Sequence, residues 1–150
     1  MEAAAPLASH LRLAVLRLSR RLRQQAVGDI TASQLSALVS VAKHGELSLG
    51  TLAAIERIAP PSMTRIAARL EAQGLVLRRS DDADRRVARV AISDSGLAVL
   101  DEISNRRDAY LAVRLQELSE DERDLLSKAV PLLERLAAES AGVEVEPARS

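Results

Sequence analysis

One stretch constrains this chain more than any other: Pro60 to Gly74, reading PPSMTRIAARLEAQG. Two prolines open it and a glycine closes it. Proline suits the first turn of a helix, where its missing N–H has no intrahelical partner. Glycine suits the position just past the last turn, where the backbone turns left-handed. Between them Met63, Ile66, Ala67 and Leu70 recur at i, i+3, i+4 and i+7, which predicts one apolar helical stripe. Ser62, Arg65 and Arg69 fall on the opposite side, Thr64 on the flank, and no acid interrupts that outer face before Glu71. Such a helix packs on one side and offers hydroxyls and two guanidinium forks on the other. Taken alone, a motif this short is equally consistent with a surface helix whose arginines are merely solvated.

The segment after the helix narrows the choice. Leu75–Ser80 (LVLRRS) and Val87–Ile92 (VARVAI) read as two strands, with Ala88, Val90 and Ile92 on one face of the second. The connection, DDADRR, is polar and charged. Before them, Ser48 is placed to cap a short helix running through Ala54, with Leu49, Leu52 and Ala53 inward. Glu46–Ser48 can add a minor edge strand. A short helix, a turn, a helix with a polar-basic outer face and a hairpin with a charged tip make a winged helix-turn-helix. That helix fits the major groove of duplex DNA, and an arginine at the hairpin tip can reach the minor groove.

The run from Leu47 to Gly96 resembles the DNA-binding domain of the MarR family of bacterial transcription regulators. The resemblance rests on LSLGTLAAIERIAPPSMTRIAARLEAQGLVLR, the wing residues Asp84, Arg85 and Arg86, and ISDSG at 92–96. The doubled proline and the alanine-rich face (Ala67, Ala68) depart from the usual family sequence. On the outer face of that helix, Arg65 and Arg69 are expected to read base edges, with Ser62 and Thr64 on bases or phosphate. The resemblance implies that Asp84 orients Arg86 into the minor groove while Arg85 meets phosphate. On an extended strand Asp84 and Arg86 would point the same way, two positions apart.

The flanking segments predict helices. Leu7, Leu11, Val15, Leu18 and Leu22 stripe a helix from Leu7 to about Val27, with Met1–Pro6 frayed. A basic amphipathic helix could instead lie on a membrane, but this one lacks aromatic anchors. Thr31 with Gln34 makes a capping box, and Leu35, Leu38, Val39 and Ala42 form the stripe of the next helix, ending at His44-Gly45. Ser93 caps a long helix to about Leu118. Ser119 with Glu122 opens a last one, which Pro131 is expected to kink. The terminal helices carry more apolar surface than one small domain needs, and the commonest cover is a second copy across a two-fold axis. The expected organisation is mainly α with a small β wing: a winged helix-turn-helix over 29–96, N- and C-terminal dimerisation helices over 1–28 and 97–140, and a disordered tail over 141–150.

Composition enters mainly through charge. The 150 residues have zero net charge, yet residues 1–92 hold 14 basic and 8 acidic side chains, and residues 93–150 hold 7 and 13. A +6 front and a −6 back suit a protein that sets one side against nucleic acid. With no cysteine, disulfides, thiolate ligands and thiol-based oxidant sensing are excluded. No stretch resembles a signal peptide or a bilayer span, so a cytoplasmic location is expected.

Catalytic patterns are missing. His10 and His44 stand far apart with no metal-ligand spacing, the serines lack a nucleophile elbow, and no glycine-rich phosphate loop occurs. No enzyme activity, cofactor or metal is expected. The family resemblance also implies a small-molecule effector between the DNA-binding lobe and the dimerisation helices. His10, Arg17, His44 and Tyr110 are the candidates for that pocket. The reading is a dimeric regulator, most simply a repressor, on a pseudo-palindromic operator. A winged-helix protein-interaction module with solvated arginines is the alternative.

Overall fold

The computed structural model describes residues 4–25 and 28–138. The chain divides into two compact units, Met1–Tyr110 and Leu111–Ser150. The expected tail, 141–150, lies outside the described residues.

Helix α1 spans Ala4–Arg23. It starts before the expected Leu7 because Pro6 falls in the first turn, where a missing N–H is harmless. It stops short of the expected Val27, and residues 26 and 27 are outside the description. Helix α2 (Ala32–His44) opens on the predicted capping box. Thr31 Oγ1 accepts from the Gln34 amide at 3.2 Å, and Gln34 Oε1 accepts from the Thr31 amide at 2.8 Å.

The buried stripe of α2 differs from expectation. Gln34, Ala37, Leu38 and Val41 are buried, whereas Leu35 is half-buried and Val39 exposed. Two overlapping stripes satisfy helical spacing in this segment. The one that wins faces α3 and α4 and includes Gln34, whose side chain is already satisfied by the cap.

Strand β1 is Leu47–Ser48, and α3 begins at once over Leu49–Glu56. Ser48 Oγ caps α3, accepting from the Thr51 amide at 3.1 Å. The helix outlasts the expected Ala54 because Arg57 ends it in the left-handed region (φ 53°). The Arg57 amide bonds back to Ala54 O at 3.2 Å and the Ile58 amide to Ala53 O at 3.0 Å. That turn carries Ile58 against the core and aims the next helix. Helix α4 (Pro60–Ala72) buries Met63, Ala67 and Leu70 as its stripe predicts. Gly74 (φ 72°) closes it, and the Leu75 amide returns to Leu70 O at 2.9 Å.

Strands β2 (Val76–Ser80) and β3 (Ala88–Ile92) pair antiparallel in the register Val76↔Ile92 through Ser80↔Ala88, and β3 also pairs with β1. Each strand starts one residue later than expected, because the Leu75 and Val87 amides are already spent on turns, Val87 on Asp84 O at 2.9 Å. Leu38, Leu52, Met63, Leu70, Val41, Val76 and Val90 are the largest fully buried side chains. Burying each contributes roughly 1.5–3 kcal/mol. The core therefore sits beneath the helix-turn-helix and fixes α4 rigidly, with its outer face free.

Helix α5 (Asp94–Gln116) begins at the predicted cap: Ser93 Oγ accepts from the Gly96 amide at 3.0 Å and donates to Gly74 O at 2.6 Å. It ends two residues before the expected Leu118, where the chain tightens into i→i+3 bonds. Helix α6 (Glu120–Ala137) carries the predicted Ser119–Glu122 capping box and continues through Pro131, whose missing N–H removes the helical donor for the Ser127 carbonyl. Neither α1 nor α6 buries a residue.

Candidate nucleic-acid interface

The outer face of α4 is set by the core beneath it. With Met63, Ala67 and Leu70 pointing inward, Thr64, Arg65 and Arg69 are forced out and exposed, and Ser62 is half-buried beside them. Arg65 and Arg69 stand one turn apart on one face and have no acidic partner among the described residues. Thr64 Oγ1 donates to Pro60 O at 3.0 Å, so its hydroxyl proton is taken and its oxygen remains an acceptor. Ser62, Arg65 and Arg69 share a groove of about 230 Å³ with Thr31, Ser33 and Gln34 of the α2 start. Sequence reading missed Thr31 and Ser33 at this place, because it treated the capping box only as a helix start.

The hairpin tip is a turn and not the extended strand expected from the two-residue spacing. The Asp84–Arg86 contact forms all the same. Arg86 donates from Nε and Nη2 to the two carboxylate oxygens of Asp84, both at 3.0 Å, and its amide adds a bond of 3.1 Å. Turn geometry, with Val87 N bonding to Asp84 O, folds the arginine back onto its partner. Arg86 is still 90% exposed. Its hydrogen bonds hold the Asp84 carboxyl below the usual carboxylate range, and Asp84 in turn raises the arginine. Arg85 is exposed and has no ion-pair partner among the described residues.

Below the tip lies a network that the sequence did not reveal. Arg89 of β3 donates to Glu46 Oε1 at 3.1 Å and to Asp81 Oδ2 at 3.1 Å. Asp81 Oδ1 accepts from the amides of Ala83 (2.8 Å) and Asp84 (3.1 Å), and these amides are the main reason its carboxyl is held low. Glu46 also takes Arg79 at 2.8 Å, and that hydrogen bond holds Glu46 low and Arg79 high. A second link ties the scaffold: the hydroxyls of Ser36 and Ser40 on α2 donate to Glu56 at the end of α3.

The four residues named for an effector pocket lie on α1, at the end of α2 and on α5. His10, Arg17 and His44 are exposed, Tyr110 is half-buried on α5, and none of the four lines the larger cavity. That cavity, about 430 Å³, is lined by Ser19 and Arg23 of α1, by Ile30, Leu35, Val39 and their neighbours, and by Ile103 and Arg107 of α5. Arg107 Nε is buried there without a hydrogen-bond partner among the described residues. Leu35 and Val39 were visible as an apolar i, i+4 pair but had been assigned to the core. Among the described residues no group of acids and histidines could hold a metal ion, and no helix is long and apolar enough to cross a membrane.

A helix-turn-helix with a basic outer face, backed by a three-stranded wing, defines a winged-helix DNA-binding protein. The MarR family model matches residues 30–88. An HTH-type transcriptional regulator of Mycobacterium bovis is 42% identical over 141 residues, covering 93% of this chain and 99% of that protein. The HTH-type transcriptional repressor MdtR of Bacillus subtilis is 30% identical over 127 residues, 81% and 82% of the two chains. Among solved structures, a transcriptional regulator protein of Pseudomonas aeruginosa PA01 superposes with a TM-score of 0.84 at 34% identity, covering 93% and 99%. The chain belongs to the MarR family of DNA-binding transcription regulators, a family of non-enzymes.

Proposed function

We propose that this protein is a cytoplasmic, homodimeric repressor that reads a pseudo-palindromic operator, with α4 in the major groove and the wing in the flanking minor groove. One observation carries the reading. Arg78, Arg79, Arg86 and Arg89 of the wing are paired with acids, whereas Arg85 and, on the exposed face of α4, Arg65 and Arg69 have no acidic partner among the described residues. A guanidinium without an internal partner is available to phosphate, or forks onto guanine O6 and N7. Ser62 and Thr64 add acceptors beside them, and Arg85 adds a phosphate contact.

Dimerisation is supported by apolar faces left uncovered on single elements. On α1, Leu7, Val15, Leu16 and Leu18 are exposed, and on α6, Leu125, Leu132 and Leu136 are exposed. Helices so apolar and so uncovered suit a second copy of the chain. Residues 1–28 and 97–140 would then form the dimerisation region and 29–96 the DNA-binding lobe. The name of the MdtR relative supports repression. The 430 Å³ cavity, lined in part by Arg23 and Arg107, supports a pocket for a small anionic effector beside the reading of His10, Arg17, His44 and Tyr110.

The test is selection of duplexes from a random pool, then footprinting. The expected result is protection of two inverted half-sites with centres roughly 10 bp apart. Protection of one half-site in an asymmetric sequence would refute the dimeric reading. Failure to enrich any sequence would favour a protein-interaction module.

A further inference from the structure

We propose that Arg89 is a positioning residue for DNA recognition: it anchors the wing tip to Glu46, just before β1, and so sets the direction in which Arg86 leaves the protein. The inference rests on the reading of Arg86 as a minor-groove contact.

The observations form one connected chain. Arg89 uses all three of its guanidinium nitrogens. Nε goes to Glu46 Oε1 (3.1 Å), Nη2 to the Glu46 carbonyl (3.4 Å) and Nη1 to Asp81 Oδ2 (3.1 Å). Asp81 spends its other oxygen on the amides of Ala83 and Asp84. Asp84 then holds Arg86 by both carboxylate oxygens. A continuous run of charge-assisted bonds therefore leads from Glu46, the residue before β1, to a side chain that is otherwise open to solvent. Charge-assisted bonds are stronger than neutral ones, and the two-pronged contact of Arg86 with Asp84 adds geometric specificity.

Arg89 is not needed to cover the core. Its strand neighbour Val90 is buried, so Arg89 points to the opposite face of the sheet. Arg89 also lies directly across from Arg79, a pairing of like charges that repels. Glu46 accepts from both arginines and removes that repulsion. Without Arg89, Asp81 keeps its amides and its own amide stays on Val87 O at 2.8 Å, but the side-chain tie to Glu46 is lost, and the tip then rests on that backbone bond and the exposed Arg79–Asp82 pair.

The experiment is a double-mutant cycle by fluorescence anisotropy, on the selected duplex with A·T flanks and on a copy with G·C flanks. Arg89→Gln is expected to lower affinity roughly fivefold, a size typical of coupling within one network, and to weaken the A·T preference. In the Arg86→Ala background the same change is expected to have no further effect, because the group being positioned is gone. Equal losses in both backgrounds, or no loss in either, would overturn the proposal. Asp81→Asn is the second probe. It keeps an oxygen for the two amides while weakening the tie to Arg89, and the same dependence on Arg86 is expected. Wild-type affinity for Arg86→Ala alone would instead remove the minor-groove reading, and the positioning role with it.

Discussion

Gly96 is the position where one added carbon has the largest structural consequence. A Cβ built there would lie 2.2 Å from the carbonyl oxygen of Leu75 and 2.7 Å from Cγ1 of Ile92. The isoleucine can rotate away, but the carbonyl is backbone. Reaching the near edge of ordinary contact, 3.4 Å, means separating α5 from the β2 start by about 1.2 Å. Two bonds cross that gap, the Ser93 amide to Leu75 O at 3.1 Å and Ser93 Oγ to Gly74 O at 2.6 Å. Both are stretched or lost by such a shift, at about 1 kcal/mol each. Overpacking adds about 1–3 kcal/mol, and the better helix propensity of alanine returns about 1 kcal/mol. Gly96→Ala is expected to destabilise the protein by roughly 2–4 kcal/mol. At this chain length that lowers the melting temperature by roughly 6–12 °C. Thermal and urea unfolding, monitored by circular dichroism, measure it. A variant within about 0.5 kcal/mol of wild type would show that the close approach is not what requires glycine here.

Three further outcomes are expected. Asp81, Asp84 and Glu46 are held below their ordinary values by amide and arginine donors. Their contribution is therefore fully present above the ordinary carboxylate value, about 4, and is lost as pH falls through the lower folded-state values. Urea midpoints between pH 7 and pH 2 are expected to show that loss, and Asp81→Asn is expected to flatten it; an unchanged acid limb would contradict the assignment. Leu132→Glu or Leu16→Glu, on faces exposed in the single chain, is expected to shift sedimentation velocity from dimer towards monomer, and a wild-type profile for both would count against these faces as the interface. Arg86→Ala is expected to keep the wild-type melting temperature, since an exposed ion pair contributes little to stability. It is also expected to lose operator affinity and A·T-flank preference, with a smaller loss for Asp84→Ala; unchanged DNA binding would rule out the wing contact.

How far the residues disclosed the fold depended on whether a local rule had one solution. The α4 segment did, because two prolines, one stripe and one glycine agree with each other. The caps at Thr31, Ser48, Ser93 and Ser119 were equally legible, being short-range hydrogen bonds between near neighbours. The α2 face was not, since Leu35–Val39 and Leu38–Val41 both satisfy helical spacing and only tertiary packing chooses between them. The Asp84–Arg86 contact was anticipated from spacing, yet it is formed by a turn, because the amide of Val87 bonds to Asp84 O in place of a strand partner. The network of Glu46, Asp81 and Arg89 joins residues 35 and 43 positions from Glu46, a separation at which sequence pattern names no partner. The 430 Å³ cavity was invisible for the same reason: its walls come from α1, α2 and α5 and the turn before α2.

The central claim is that the outer face of α4 reads base sequence. The direct measurement is anisotropy of the wild type and of Arg65→Ala and Arg69→Ala on the selected duplex and on a scrambled duplex of equal length, across a salt series. The wild type is expected to bind the selected duplex far more tightly, with affinity falling steeply as salt rises. Each variant is expected to lose roughly 1–3 kcal/mol on the selected duplex and much less on the scrambled one. Equal losses on both duplexes would reduce these arginines to phosphate contacts and contradict the claim.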